Sequence, residues 1–210
     1  MSTICKIVVA STDATQIEKL IFDHISEEHG QDILVDDVEW PTTLQEFVAD
    51  YEEPTLYCLK ALDENFTEIH FNSFGKTESL STKISDELGA QVLVNIYQSV
   101  AEAGYWSLYK EGQLIRAIEF GDGDIAETVG ELLEFESEPL GTNISAESEE
   151  EFYSFGFDNM DNYNRLCGID VEVYQDSDKG WRSLRYNTID ESLPVASNPV
   201  VENKPWWKFW

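Results

Sequence analysis

Residues Thr67 to Phe120 read TEIHFNSFGKTESLSTKISDELGAQVLVNIYQSVAEAGYWSLYKEGQLIRAIEF, and this stretch decides the fold. Ile69 and Phe71 alternate with His70 and Asn72, the period of a half-buried strand. Ser79 or Ser81 suits the N-cap of a helix that lines up Leu80, Ile84 and Leu88, and Gly89 stands where such a helix ends. Val92, Leu93, Val94 and Ile96 form a continuous apolar run, as in a strand covered on both faces. Tyr105 to Tyr109 and Leu114 to Phe120 flank Lys110-Glu-Gly-Gln113, whose glycine supplies the positive φ of a tight hairpin. Strand, helix, strand and hairpin together predict an α+β fold, a mixed or antiparallel sheet packed with helices.

Upstream, Ile4 to Ala10 reads as a strand. Thr12 or Asp13 caps a helix carrying Ile17, Leu20, Ile21, His24 and Ile25, Gly30 closes it, and Asp32 to Val38 follows as a strand. Ile25 to Val35 (ISEEHGQDILV) aligns without gaps on Ile84 to Val94 (ISDELGAQVLV), and Thr55 to Leu62 matches Gln113 to Phe120. Two readings follow: tandem repeats over 1–62 and 63–122, or the shared physics of any helix, C′ glycine and strand. Leu44, Phe47 and Val48 suggest a short helix ended by Pro54.

Downstream, the spacing of Ile125, Val129, Leu132 and Leu133 predicts a helix over Asp124 to Phe135. A core domain thus spans 1–135. Residues 136–150, ESEPLGTNISAESEE, read as an acidic loop or linker. A C-terminal α/β subdomain over 151–203 is expected to pack on the core, with a helix from about Asp158 to Cys167 and a hairpin pairing Val171 and Val173 with Trp181 to Tyr186. The aromatic tail 204–210, KPWWKFW, ends the sequence.

The formal net charge of −29 is unevenly spread. From Lys19 to Lys60 no lysine or arginine intervenes among eleven acids, and from Arg116 to Arg165 none among fourteen. Such a surface repels nucleic acid and anionic lipid and attracts basic proteins, although solubility alone also accounts for it. With 42% hydrophobic residues and 12% aromatics the chain is globular despite its charge. No apolar run is long enough to span a membrane, and MSTICKIVVASTD lacks the pattern of a signal peptide, so a cytoplasmic location is expected. Cys5, Cys58 and Cys167 are odd in number and unpaired in spacing, which suits buried free thiols.

The chemical motifs are sparse. Gly121-Asp-Gly-Asp-Ile-Ala126 matches a dinucleotide loop in letters, but Asp122 and Asp124 would repel a pyrophosphate, and a turn with an aspartate cap accounts for it better. Asp122 with Asp124, Asp158 with Asp161, and Asp176 with Asp178 lack the ligand series of an EF-hand loop. His24, His29 and His70 form no zinc-binding array. No cofactor, metal site or catalytic residue is assigned.

Two segments suit protein binding. Glu134, Glu136 and Glu138, with Glu147, Glu149, Glu150 and Glu151, could present carboxylates to a basic partner. Trp206, Trp207, Phe209 and Trp210 make the tail adhesive, whether it docks on a partner or folds back onto its own domain. In composition the chain is similar in general type to the bacterial immunity and inhibitor proteins that neutralise basic toxins or nucleases. The expected function is therefore an acidic binding protein. The alternatives are an enzyme with a site assembled from scattered residues and a structural subunit docking through its tail.

Overall fold

The structure, a computed structural model, describes residues 3–11, 13–29, 33–38, 55–61, 65–71, 77–121, 124–136, 155–170 and 182–188. Its centre is an antiparallel sheet of nine strands: β1 (Thr3–Val9), β2 (Ile33–Val38), β3 (Thr55–Ala61), β4 (Thr67–Phe71), β5 (Val92–Gln98), β6 (Ala103–Lys110), β7 (Gln113–Gly121), β8 (Asp124–Gly130) and β9 (Arg182–Thr188), in the order β2-β9-β3-β4-β1-β5-β6-β7-β8. Helices α1 (Ala14–His29) and α2 (Thr77–Leu88) pack on one face, and α3 (Phe157–Leu166) on the other. The α+β class is as expected.

Local chemistry sets the helix ends. Asp13 Oδ1 accepts the Gln16 N–H at 3.0 Å, so Asp13 caps α1. Helix α2 starts at Thr77, ahead of both serines expected to cap it, which leaves Ser81 buried inside the helix. Gly89 follows α2 with φ +57° and Gly168 follows α3 with φ +83°, the left-handed conformation that suits a C-terminal glycine.

The sheet face decides which side chains meet. Ile7, Val9, Ile69, Val92 and Val94 point to α1 and α2, where Ile17, Ile21, Leu80 and Ile84 complete one core. Val8, Leu93, Trp106, Leu108, Ile118 and Phe120 point the other way and meet Phe155, Met160 and Tyr163. Strand β5 is therefore covered on both sides, as its apolar run required. Strand β4 was expected to be half-buried, but all five of its residues are buried. Its polar residues Glu68 and His70 are held within a polar group described below.

The hairpin between β6 and β7 turns at Glu111 (φ +49°) and Gly112 (φ +70°), the two positive φ values of a primed two-residue turn. The Gly112 N–H donates to Ser85 Oγ at 3.0 Å and ties the turn to α2.

One expectation is corrected and two others are not met among the described residues. Asp124 to Gly130 is strand β8, not the start of a helix, because β7 offers an open edge and Gly130, at φ +90°, breaks any helical continuation. The Gly121 to Ala126 motif thus spans the end of β7 and the start of β8, and Asp122 and Gly123 fall outside the described residues. Strand β9 pairs with β2 and β3, while Val171 and Val173, expected as its hairpin partner, fall outside the described residues. The tandem repeats are not confirmed: among the described strands β2 pairs with β9 alone, whereas β5 lies between β1 and β6. The helix expected around Leu44 to Val48 falls outside the described residues.

The chain after residue 150 contributes to the same sheet, since β9 sits between β2 and β3 and α3 covers β5. Helix α3 is anchored by Trp106, whose indole N–H donates to Asn164 Oδ1 at 2.9 Å with both residues fully buried. Tyr163 adds edge-on ring contacts to Trp106, Phe135 and Phe155 at 5.0–5.2 Å.

Candidate binding surfaces

A groove of about 710 Å³ runs between α1, α2 and the β6–β7 turn. Glu78, Thr82 and Asp86 recur every four residues, so they form one stripe along α2. Glu27 comes from α1 and Glu111 from the turn. Against these four carboxylates stands Lys83, whose Nζ is 2.7 Å from Glu27 Oε2. At the base His24 is buried, its Nε2 3.5 Å from Ser79 Oγ. The groove is thus an open acidic channel whose lysine is already engaged.

The opposite sheet face carries a buried polar group. The strand register places His70, Lys6 and Asn95 side by side across β4, β1 and β5, with Cys58 of β3 opposite His70. Glu68 Oε1 bridges Lys6 Nζ and His70 Nε2, the latter at 2.8 Å. Burial pushes the Glu68 carboxyl up, but the hydrogen bond from His70 and the charge of Lys6 outweigh this and hold it below the usual range. Among the described residues, Glu68 Oε2 and both amide atoms of Asn95 are buried without a hydrogen-bond partner. Nothing in the sequence marked this group beyond a lysine and a glutamate inside apolar strands.

A second buried ion pair joins Arg116 to Glu136, with side chains 2% and 1% exposed. Arg116 also donates to the carbonyls of Val129 and Gly130, both at 3.3 Å. Glu136 further accepts the Leu133 N–H at 2.8 Å and the Tyr163 hydroxyl at 3.3 Å. Burial, with the nearby Glu136 carboxylate, raises the Tyr163 hydroxyl above its ordinary pKa.

These positions bear on the residues expected to bind a partner. Glu134 is exposed in the turn after β8. Glu136 turns inward onto Arg116 instead of joining an acidic display, because the only cation in that part of the chain claims it. Glu138, Glu147, Glu149, Glu150, Glu151, Trp206, Trp207, Phe209 and Trp210 lie outside the described residues.

The thiols of Cys5 and Cys167 are free, and burial raises both, that of Cys167 to about 11. Among the described residues no three metal-ligating side chains converge, and no helix is long and apolar enough to cross a membrane. No protein-family model, no curated protein and no solved structure matches this chain.

Proposed function

We propose that this chain is an acidic binding protein of the inhibitor or immunity kind, which masks a basic toxin or nuclease by presenting carboxylates to its cationic surface. The observation that carries this reading is the groove in which Glu27, Glu78, Asp86 and Glu111 converge from three elements around one engaged lysine. Convergent carboxylates on a rigid face steer a basic partner over long range, and the attraction weakens with salt.

The test is affinity capture from a lysate of the native host at low and high salt, using full-length protein and its E78K/D86K/E111K variant. The reading expects a basic protein that wild type retains at low salt, that high salt releases, and that the variant does not retain. Equal retention by both proteins, or no salt-sensitive capture, overturns it. A version ending at residue 203, tested in parallel, reports whether the aromatic tail takes part.

A second reading, an enzyme site assembled from scattered residues, is favoured by the Lys6–Glu68–His70 group with its unpartnered Glu68 Oε2 and Asn95 amide. Buried ionisable groups with shifted pKa values cluster at active sites, though structural ion pairs shift them too. If an activity is found, N95L should abolish it while leaving the fold intact; full activity in a folded N95L protein removes this reading.

A further inference from the structure

The acids of the groove continue toward the end of the sheet. Helix α2 packs over β5, β6 and the near part of β7. Beyond it, Glu119 of β7 and Glu127 of β8 are exposed and stand directly opposite each other. Both lie on the face that carries the groove, because Glu119 pairs with Tyr105, which packs against the α1–α2 core. Like charges placed opposite one another on a sheet are unfavourable unless a cation joins them. Among the described residues none does.

Among the described residues, strand β8 is also the last strand of the sheet. Its residues Glu127, Val129 and Gly130 are exposed, and Val129 and Leu132 are 44% and 41% exposed. An edge strand leaves alternate backbone N–H and C=O groups unpaired, and natural edges are commonly blunted by lysine or proline. The β8 sequence, DIAETVG, contains neither.

We propose that the outer edge of β8 docks an extended basic segment of the partner, which adds to the sheet as a further strand. This rests on the reading above that the partner is basic. Main-chain hydrogen bonds would supply affinity, and alternate side chains the selectivity. Glu127 and Val129 are two residues apart on one face, so the incoming strand carries a lysine or arginine and an apolar residue at the same spacing. The cation sits between Glu119 and Glu127, and the apolar residue covers Val129. A second copy of this chain is the wrong occupant, because joining two β8 edges would add Glu127 and the neighbouring Glu131 of one copy to those of the other.

The probe is a synthetic peptide, acetyl-Thr-Lys-Thr-Val-Thr-Lys-Thr-amide, offered to the full chain. Its control is the same peptide with both inner threonines replaced by proline, equal in charge but unable to complete the ladder. Amide hydrogen exchange and backbone NMR shifts report the site. The expected result is protection of amides within 127–130 by the first peptide, with binding weakened about tenfold or more by the prolines or by E127K. E127K gains an ion pair with Glu119, so its thermal midpoint does not fall and loss of binding is not loss of fold. V129D provides a second variant that leaves the glutamates in place.

Equal binding of the two peptides overturns the edge proposal. So does a response confined to residues 78–86 and 111–113, an outcome that leaves the groove reading standing. Failure of both peptides and of every basic protein to bind in a salt-sensitive way overturns the proposal and the reading together.

Discussion

Arg116 on β7 grips Glu136, twenty residues later, through two parallel hydrogen bonds: Nε to Oε2 at 3.1 Å and Nη2 to Oε1 at 2.9 Å. The forked geometry suits guanidinium and carboxylate, and it pins the turn after β8 beneath Tyr163 of α3. Removing one partner strands the other charge in the interior. Arg116→Met should therefore cost about 3–5 kcal/mol, and R116M/E136L less than the sum of the two single substitutions. Urea denaturation of the four proteins in a double-mutant cycle checks this, and strict additivity would show that the pair is not coupled.

Glu68 gives the fold an acid-sensitive contact. Its folded pKa lies below the unfolded value, so its contribution is present above the ordinary carboxylate range and is lost as pH falls through the folded value. The stability difference between wild type and Glu68→Gln should be full near neutrality and shrink as pH drops below about 4.5. Denaturant midpoints of both proteins from pH 7 to pH 3 measure it. A difference independent of pH would mean that the carboxylate is not held in its charged form by Lys6 and His70.

Gly130 closes β8 at φ +90°, and a side chain there would run into the Ile115 carbonyl. Gly168 has a similar φ of +83° but open space around the position of a Cβ. Both alanine variants bear backbone strain of about 1–3 kcal/mol. Gly130→Ala adds a collision with backbone that cannot swing aside, so it should lower the thermal midpoint clearly further than Gly168→Ala. Equal shifts would show that β8 can move away from β7 at little cost.

The Trp106–Asn164 hydrogen bond ties α3 to β6. Asn164→Leu keeps similar volume but leaves the indole N–H buried and unpaired, at a cost of about 1–3 kcal/mol. Urea unfolding followed by far-ultraviolet circular dichroism, with near-ultraviolet circular dichroism of the folded variant, reports both the loss and any loosening of α3.

The central segment was legible because each element has a local cause. Leu80, Ile84 and Gly89 define a helix and its end, Val92 to Ile96 a strand covered on both faces, and Glu111-Gly112 a turn with two positive φ values. Helix α1 was readable for the same reason, from Asp13 and the spacing of Ile17, Leu20 and Ile21. The stretch 124–135 was misread because Ile125, Val129, Leu132 and Leu133 fit a helical period by spacing alone. The available edge of β7 and the left-handed Gly130 outweigh that spacing, and neither shows in a pattern of apolar residues.

The acidic groove was half legible. The four-residue spacing of Glu78, Thr82 and Asp86 marks a polar helix stripe, but nothing local joins Glu27 and Glu111 to it. The sequence by itself determined the α+β class, the main helices and hairpin, and a strongly acidic net charge, since these follow from short-range periodicity, capping and composition. Only the tertiary structure decided the strand order, the place of β9 between β2 and β3, and the partners of Lys6, Glu68, Arg116 and Glu136. Those depend on long-range pairing, in which the energy of a side chain is set by neighbours far away along the chain.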